Sequence, residues 1–380
     1  MIYADNAATT RPASTVVDAV RLTLVECWGN PSSAHRPGLD ARTITEDARE
    51  VIARYCTIPA EGVIFTSGGT EANQLAALGL PIRPRSNRVI CTNAEHPSLS
   101  RAIASRGDVE VVYTPVRSDG VVDLERFGDL LNDQIGLVAL FEGQNEIGSR
   151  NPIAEIVALA RARAPRAFIH LDSVQAFGKP EPPPFSLGID SASVSAHKVH
   201  GPKGVGALLL RSRIGLSPQI LGGGQENDRR SGTENVPGIA GFGEAVRLLA
   251  LLRPEDHARM RGLRQKLQST VLDRLPGARA LVTTSTGLPH ILVLVLPGAP
   301  AEVVLHHLER EGIVASASAA CHSKKHELSP ALRAIGLRDD EIRSTLRLSL
   351  SRETSDADVD AIIEALPRIV SRVRALGAVR

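Results

Sequence analysis

The feature that most constrains this chain is a regular alternation of short, β-branched apolar runs with amphipathic helical stretches. VIFTSGG, RVICTN, VEVVYTP, IGLVALFEG and AFIHLDS each end in small or polar residues, and patterns such as STVVDAVRLTLVECW, EANQLAALGL and IAEIVALARARA lie among them. This alternation predicts an α/β fold with a mostly parallel sheet covered by helices on both faces. Ligands in such sheets sit at the carboxyl ends of the strands. The pattern changes near Pro254. Residues 256–275 read as one helix with a basic solvated face, followed by ILVLVLP, a helix over 301–311, IVASAS, the strand STLRLSLS and an amphipathic helix from 356 to about 376. These predict a smaller α+β unit, completed by the N-terminal segment. EPPP at 181–184 reads as a turn or surface arm, and there is no internal repeat.

Composition enters mainly to exclude. A chain of 380 residues buries about three quarters of its unfolded surface, so it needs no disulfide or metal staple. Its net charge of +2, with no basic tail, points to no polyanion partner, and 3% aromatic residues are too few for a base-stacking surface. No nucleic-acid contact and no metal centre are expected. The apolar runs fall well short of the roughly 20 residues that cross a bilayer, and MIYADNAATT has no charged region leading into an apolar stretch. The four cysteines, at 27, 56, 91 and 321, form no CxxC pair and no zinc spacing. They read as reduced thiols, which predicts a cytoplasmic location.

Three segments carry candidate chemistry. TSGGTEAN, residues 66–73, joins a strand to a helix; its glycines permit a tight turn and its helix N-terminus suits a phosphate, although a plain strand-to-helix turn capped by Thr70 reads equally well. In AFIHLDSVQA, Asp172 ends a buried strand, where an unpaired carboxylate costs several kcal/mol. It therefore calls for a cationic partner or a ring N–H, unless it simply caps a helix; Gln175 follows three residues on. In SVSAHKVHGPKG, Lys198 is one of only six lysines and follows an apolar stretch. Partly withdrawn from water it would serve as an amine nucleophile or base, and fully exposed it would be a turn lysine. In this order, a phosphate cradle, a strand-end aspartate and a lysine meet the needs of pyridoxal phosphate.

The motifs DNAATT, GNPSSAHRPG, FTSGGTEAN, AEHPS, NEIG, HLDSVQAFGK, AHKVHGPKG, GGGQE, RSGTENVPGI, ACHS and LRLSLSR run almost end to end. Through them the chain resembles the cysteine desulfurases of the NifS/IscS type, in the class V aminotransferase branch of fold-type I pyridoxal-phosphate enzymes. The resemblance implies a large domain over 15–253 with a mostly parallel seven-stranded sheet. It also implies a small domain made of 1–14 and 254–380, carrying a catalytic cysteine loop at about 315–329. The activity implied is conversion of L-cysteine to L-alanine, with a persulfide formed on Cys321 and passed to an acceptor protein. Implied roles follow residue by residue. His96 stacks on the cofactor ring and acts as acid/base; Gly69, Thr70, Ser195 and His197 hold the phosphate; Asp172 meets the pyridine nitrogen and Gln175 the ring hydroxyl. Lys198 holds the aldehyde. Thr233 reaches the phosphate of the other subunit of a homodimer. Arg347 clamps the substrate carboxylate with help from Asn145 and Asn30. Cys321 is the nucleophile, with His322, Lys324, Lys325 and His326 favouring its thiolate, while Cys27, Cys56 and Cys91 read as buried core thiols.

Departures from the family pattern are Ala196 for a glycine before the His-Lys pair, Gln144 for an asparagine, Ser318 for a glycine and Ala319 for a serine in the cysteine loop, and SRETS in place of GRFTT. The lost loop glycine predicts a more ordered Cys321 loop. ACHS and these departures faintly resemble the desulfurases of DNA phosphorothioation systems. A selenocysteine lyase, another class V β-eliminating lyase and a class V aminotransferase are the rival readings.

Overall fold

The protein is represented by a computed structural model that describes residues 1–82, 86–179, 185–211, 214–283, 285–318 and 328–377. It opens with strand β1 (Ile2–Tyr3) and helices α1 (Ser14–Glu26) and α2 (Arg36–Cys56). Alternation then sets in with β2 (Val63–Thr66), α3 (Gly69–Gly79), β3 (Arg88–Thr92), α4 (Pro97–Ala104), β4 (Glu110–Thr114), α5 (Leu124–Leu130), β5 (Ile135–Phe141), α6 (Ile153–Arg163) and β6 (Phe168–Asp172). Next come β7 (Ser191–Ser195), β8 (Gly206–Leu210) and α7 (Val236–Ala250). The remainder holds α8 (Pro254–Arg274), β9 (Arg279–Ala280), β10 (Ile291–Val295), α9 (Ala301–Arg310), β11 (Ile313–Val314), β12 (Ser316–Ala317), α10 (Pro330–Ala334), α11 (Asp339–Arg343), β13 (Thr345–Ser349) and α12 (Asp356–Gly377).

Seven strands form one sheet in the order β2-β8-β7-β6-β5-β3-β4. Only β8 runs against its neighbours, so the sheet is mostly parallel, as the alternation predicts. The pleat sends alternate residues to opposite faces. Ile64, Val89, Cys91 and Leu137 pack with Leu75 of α3 and with Leu99 and Ile103 of α4. Phe65, Ile90, Val138 and Ile169 face Ile52 of α2, Ile156 of α6 and Phe242 of α7. With both faces covered, the strands must be apolar throughout, which is why IGLVALF is buried at every position.

A second sheet, β12-β13-β10-β9, is antiparallel and packs around a separate core drawn from α8, α9, α12, β10 and β13, which Ala4 also joins. The N-terminal segment completes this part of the fold: β1 pairs with β11, and Asp5 bridges to Ser349. Helix α8 begins two residues before the expected start. Asp256 accepts from the Arg253 backbone N–H at 2.9 Å, closing its first turn. Its supposed solvated basic face needs correction at Arg264, which is 1% exposed and donates Nε to the Ile291 carbonyl at 2.6 Å.

Candidate active site

The carboxyl ends of β5, β6 and β7 open into a cavity of about 400 Å³, within the usual range for small-molecule sites. Gly69, Thr70, His96, Asn145, Asp172, Gln175, Ser195, His197, Lys198 and Arg347 all line it. Thus ten of the residues singled out in the sequence meet in one place.

At one end the wall is a helix N-terminus. Gly68, at φ +154°, turns the chain out of β2 into α3, whose first residues are Gly69 and Thr70. A Cβ on Gly69 would lie 2.6 Å from Val174 Cγ2, so only glycine lets the helix come this close. Ser195, at the end of β7, and His197 complete a cradle of donors for an anion. Burial and the charges of Lys198, Lys203 and Lys179 push His197 down to about 4, so its ring is neutral at neutral pH.

In the middle, Asp172 accepts from Asn73 Nδ2 at 2.7 Å through Oδ2 and from the Val174 N–H at 3.1 Å through Oδ1. The second contact is the local cap that the sequence also allowed. Both partners are neutral, and among the described residues no cation pairs with this carboxylate. Among the described residues none supplies the positive partner that a buried aspartate calls for. Lys198 follows β7 and donates Nζ to the carbonyls of Ala7 and Ala8 at 2.5 and 2.9 Å. Gln175 Nε2 shares the Ala7 carbonyl at 2.9 Å, whereas its Oε1 is buried with no hydrogen-bond partner among the described residues. The DNAATT segment is therefore the rest on which both side chains are parked.

Arg347, on β13, forms the opposite wall. Its Nη1 donates to the Asn145 carbonyl at 2.8 Å and its Nη2 to Asp5 Oδ1 at 2.9 Å. The fork is oriented, but Asp5 already occupies part of it; Asp5 opens the DNAATT motif, to which the sequence reading gave no role at this position. Gln144 holds the neighbouring turn: its Oε1 accepts from the Glu146 and Ile147 N–H groups and its Nε2 donates to the Ala94 carbonyl. The departure from asparagine thus makes a brace between this turn and the His96 segment.

His96 caps α4, its Nδ1 accepting from the Ser98 N–H at 3.2 Å and lying 2.7 Å from Ser98 Oγ. Beside it, burial pushes Glu95 up to about 8; the 2.7 Å bond from Thr92 Oγ1 works against this and the Asp172 charge adds to it. Glu95 is accordingly a neutral acid at neutral pH.

Two predicted residues stand apart from this cavity. Asn30 is exposed and uses its Oδ1 to accept from the Ser32 N–H at 2.9 Å, and Thr233 is exposed on the loop before α7. Cys321, its basic neighbours and Ala319 lie outside the described residues, and the expected ordering of that loop lies there with them. Ser318, at the edge of that segment, lines the cavity with a buried Oγ that makes no hydrogen bond among the described residues. Cys56 and Cys91 are core thiols, pushed well above the usual range by burial. Cys27 is not: it ends α1 half-exposed, because the last turn of that helix faces outward. Sequence reasoning missed Asp5, Asn73 and Ser98. Asn73 was findable, since it lies four residues after Gly69 and so on the same helix face.

The Aminotransferase class-V family model matches residues 2–362. A cysteine desulfurase of Nostoc sp. is 36% identical over 380 residues, covering 99% of this chain and 94% of that protein. Cysteine desulfurase IscS 1 of Archaeoglobus fulgidus is 36% identical over 381 residues, covering 99% of this chain and 98% of its own length. The solved structure of a NifS-like protein superimposes with a TM-score of 0.89 at 31% identity, covering 98% of this chain and 99% of that one.

Proposed function

We propose, on the premise that the chain belongs to the aminotransferase class-V family and is a cysteine desulfurase, that its cavity holds pyridoxal phosphate on Lys198 and hands the sulfur of L-cysteine to Cys321. The observation that carries this reading is the meeting of four unlike groups in one cavity. Among the described residues these are an anion cradle, an aspartate lacking a cation, a glutamine oxygen lacking a donor, and a lysine parked on backbone carbonyls. Each matches one feature of the cofactor: the phosphate, the protonated ring nitrogen, the ring hydroxyl and the aldehyde.

When bound, pyridoxal phosphate supplies an electron-poor ring that accepts charge from the α-carbon of an amino acid. Asp172 keeps a proton on the ring nitrogen. Arg347 orients the substrate carboxylate, with Asn145 fixing the guanidinium plane. Lys198 Nζ takes the α-proton and returns one to the product. The Cys321 thiolate attacks the substrate sulfur, so that an S–S bond forms as the C–S bond breaks, and His96 handles the thiol proton. Alanine leaves, and the persulfide sulfur passes to an acceptor protein.

The proposed division into 15–253 and 1–14 with 254–380 is supported by the core that α8, α9, α12, β10 and β13 share and by the break between α7 and α8, while Leu281, Val293 and Leu332 of the second unit pack into the core of the large sheet. A homodimer, in which Thr233 would serve the partner's site, is supported by Val17, Leu22, Leu24 and Val25 exposed along α1 with Trp28 beyond, 74% exposed. Among the described residues no helix is long and apolar enough to cross a membrane, and a cytoplasmic location remains part of this proposal.

Cys321→Ala tests the reading. Alanine formation from L-cysteine is expected to fall at least about tenfold, without loss of the cofactor's absorbance. A β-eliminating lyase would release sulfide as before, and full activity in this variant would reject the assignment.

A further inference from the structure

The hydrogen bonds behind the cavity admit one consistent set of proton positions. A carboxylate offers only acceptors, so the Asn73 atom 2.7 Å from Asp172 Oδ2 is the amide nitrogen. That nitrogen is also 2.9 Å from Ser98 Oγ and gives it the second hydrogen. Ser98 accepts from Asn73, so its own O–H goes to His96 Nδ1 at 2.7 Å. The Ser98 backbone N–H points at the same ring nitrogen from 3.2 Å. With two donors upon it, Nδ1 carries no hydrogen, and the neutral ring is protonated on Nε2. On its far side Asn73 Oδ1 takes the Nε2–H of His170 at 3.3 Å, while His170 Nδ1 accepts from Ser191 Oγ at 2.9 Å. The amide is thereby held from both ends.

We propose that Asn73 is a positioning residue for the desulfurase reaction. Held by Asp172, it turns the Ser98 hydroxyl onto His96 Nδ1 and sets His96 as the Nε2–H tautomer, which meets the substrate as a proton donor. The inference rests on the reading of Asp172 and His96 as parts of the cofactor site, and deepens it. Protonating the ring requires a hydrogen on Nδ1, where both Ser98 donors already point. While Asn73 holds one lone pair of the Ser98 oxygen, turning the hydroxyl to receive that hydrogen is disfavoured. Among the described residues, the other titratable groups around His96 are Asp5, Asp172, His197, Lys198 and Arg347 on the cavity wall, Glu95 buried beside it, and His170 behind Asn73.

Histidine-selective nitrogen NMR of the full-length chain, with and without pyridoxal phosphate, tests this. His96 is expected as the Nε2–H tautomer. Asn73→Leu frees the hydroxyl, and Ser98→Ala removes it; each is expected to raise the His96 titration by about one pH unit, the equivalent of one hydrogen bond. Because Asn73 acts through Ser98, adding Asn73→Leu to Ser98→Ala shifts nothing further. An Nδ1–H tautomer, an unmoved titration in both variants, or additive shifts would overturn the inference. If Asn73→Leu does not fold, Ser98→Ala decides alone, since it leaves the amide–carboxylate bond in place. Absorbance of the same samples reports on the cofactor separately. A colourless native protein with Nε2–H His96 upholds the relay and rejects the cofactor reading; a coloured one with Nδ1–H does the reverse.

Discussion

Lys198→Ala is expected to fold normally, lose the absorbance of bound pyridoxal phosphate and form alanine from L-cysteine at least about a thousandfold more slowly. Lys198 is the only lysine among the described residues lining the cavity. Its removal strands little, because the Ala7 carbonyl keeps its bond from Gln175 Nε2. Among the described residues no neighbour can take over. Burial, with the Lys198 charge adding to it, pushes Lys179 down to about 7, which would make it a usable amine. Its Nζ, however, sits 3.3 Å from His290 Nε2 and lies off the cavity wall. A variant retaining activity within tenfold of the native enzyme would place the essential amine elsewhere.

Arg49→Leu is expected to cost about 3–5 kcal/mol of stability, the usual result of leaving one member of a buried ion pair behind. Arg49 Nη1 and Nη2 grip Glu226 Oε2 and Oε1 at 2.8 and 2.9 Å, and the Glu226 side chain is 2% exposed. Glu226 also accepts from the Phe65 N–H at 3.0 Å, and Arg49 lies over the Phe65 ring. Burial works against the Arg49 charge, but Glu226 outweighs it and holds the guanidinium above its usual value. What the pair anchors is strained. Glu226, Asn227 and Asp228 are three successive non-glycine residues with positive φ, each costing of order 1–3 kcal/mol. Arg230, bound to Glu71 on α3, pins the same loop just before Thr233. Chemical denaturation should show Arg49→Leu/Glu226→Leu costing less than Arg49→Leu alone, because no charge is then left uncompensated. A loss below about 1 kcal/mol in the single variant would mean that the loop does not depend on this anchor.

The sheet was legible because each strand keeps one composition along its length and each helix its own period. The cradle, Asp172 and Lys198 were legible because each sits where a strand ends, so local spacing already places it beside the cavity. What escaped the sequence was whatever depends on distant segments meeting. Asp5 reaches Arg347 only after the N-terminus has crossed to β13, and Asn73 joins Asp172 to Ser98 only once α3 lies across the ends of β6 and α4. Arg264 misled for a similar reason, since its helical position looked solvated until β10 supplied a carbonyl to its guanidinium. Asn30, expected beside Arg347, and Thr233, expected to reach the other subunit's phosphate, both lie away from this cavity in the single chain.

The most direct test is to reconstitute the native protein with pyridoxal phosphate, trap the linkage by borohydride reduction and map the modified peptide by mass spectrometry. The account predicts one added pyridoxyl group, on the peptide containing Lys198. A label on Lys179 or Lys203 instead, or a protein that stays colourless and unlabelled, would contradict it.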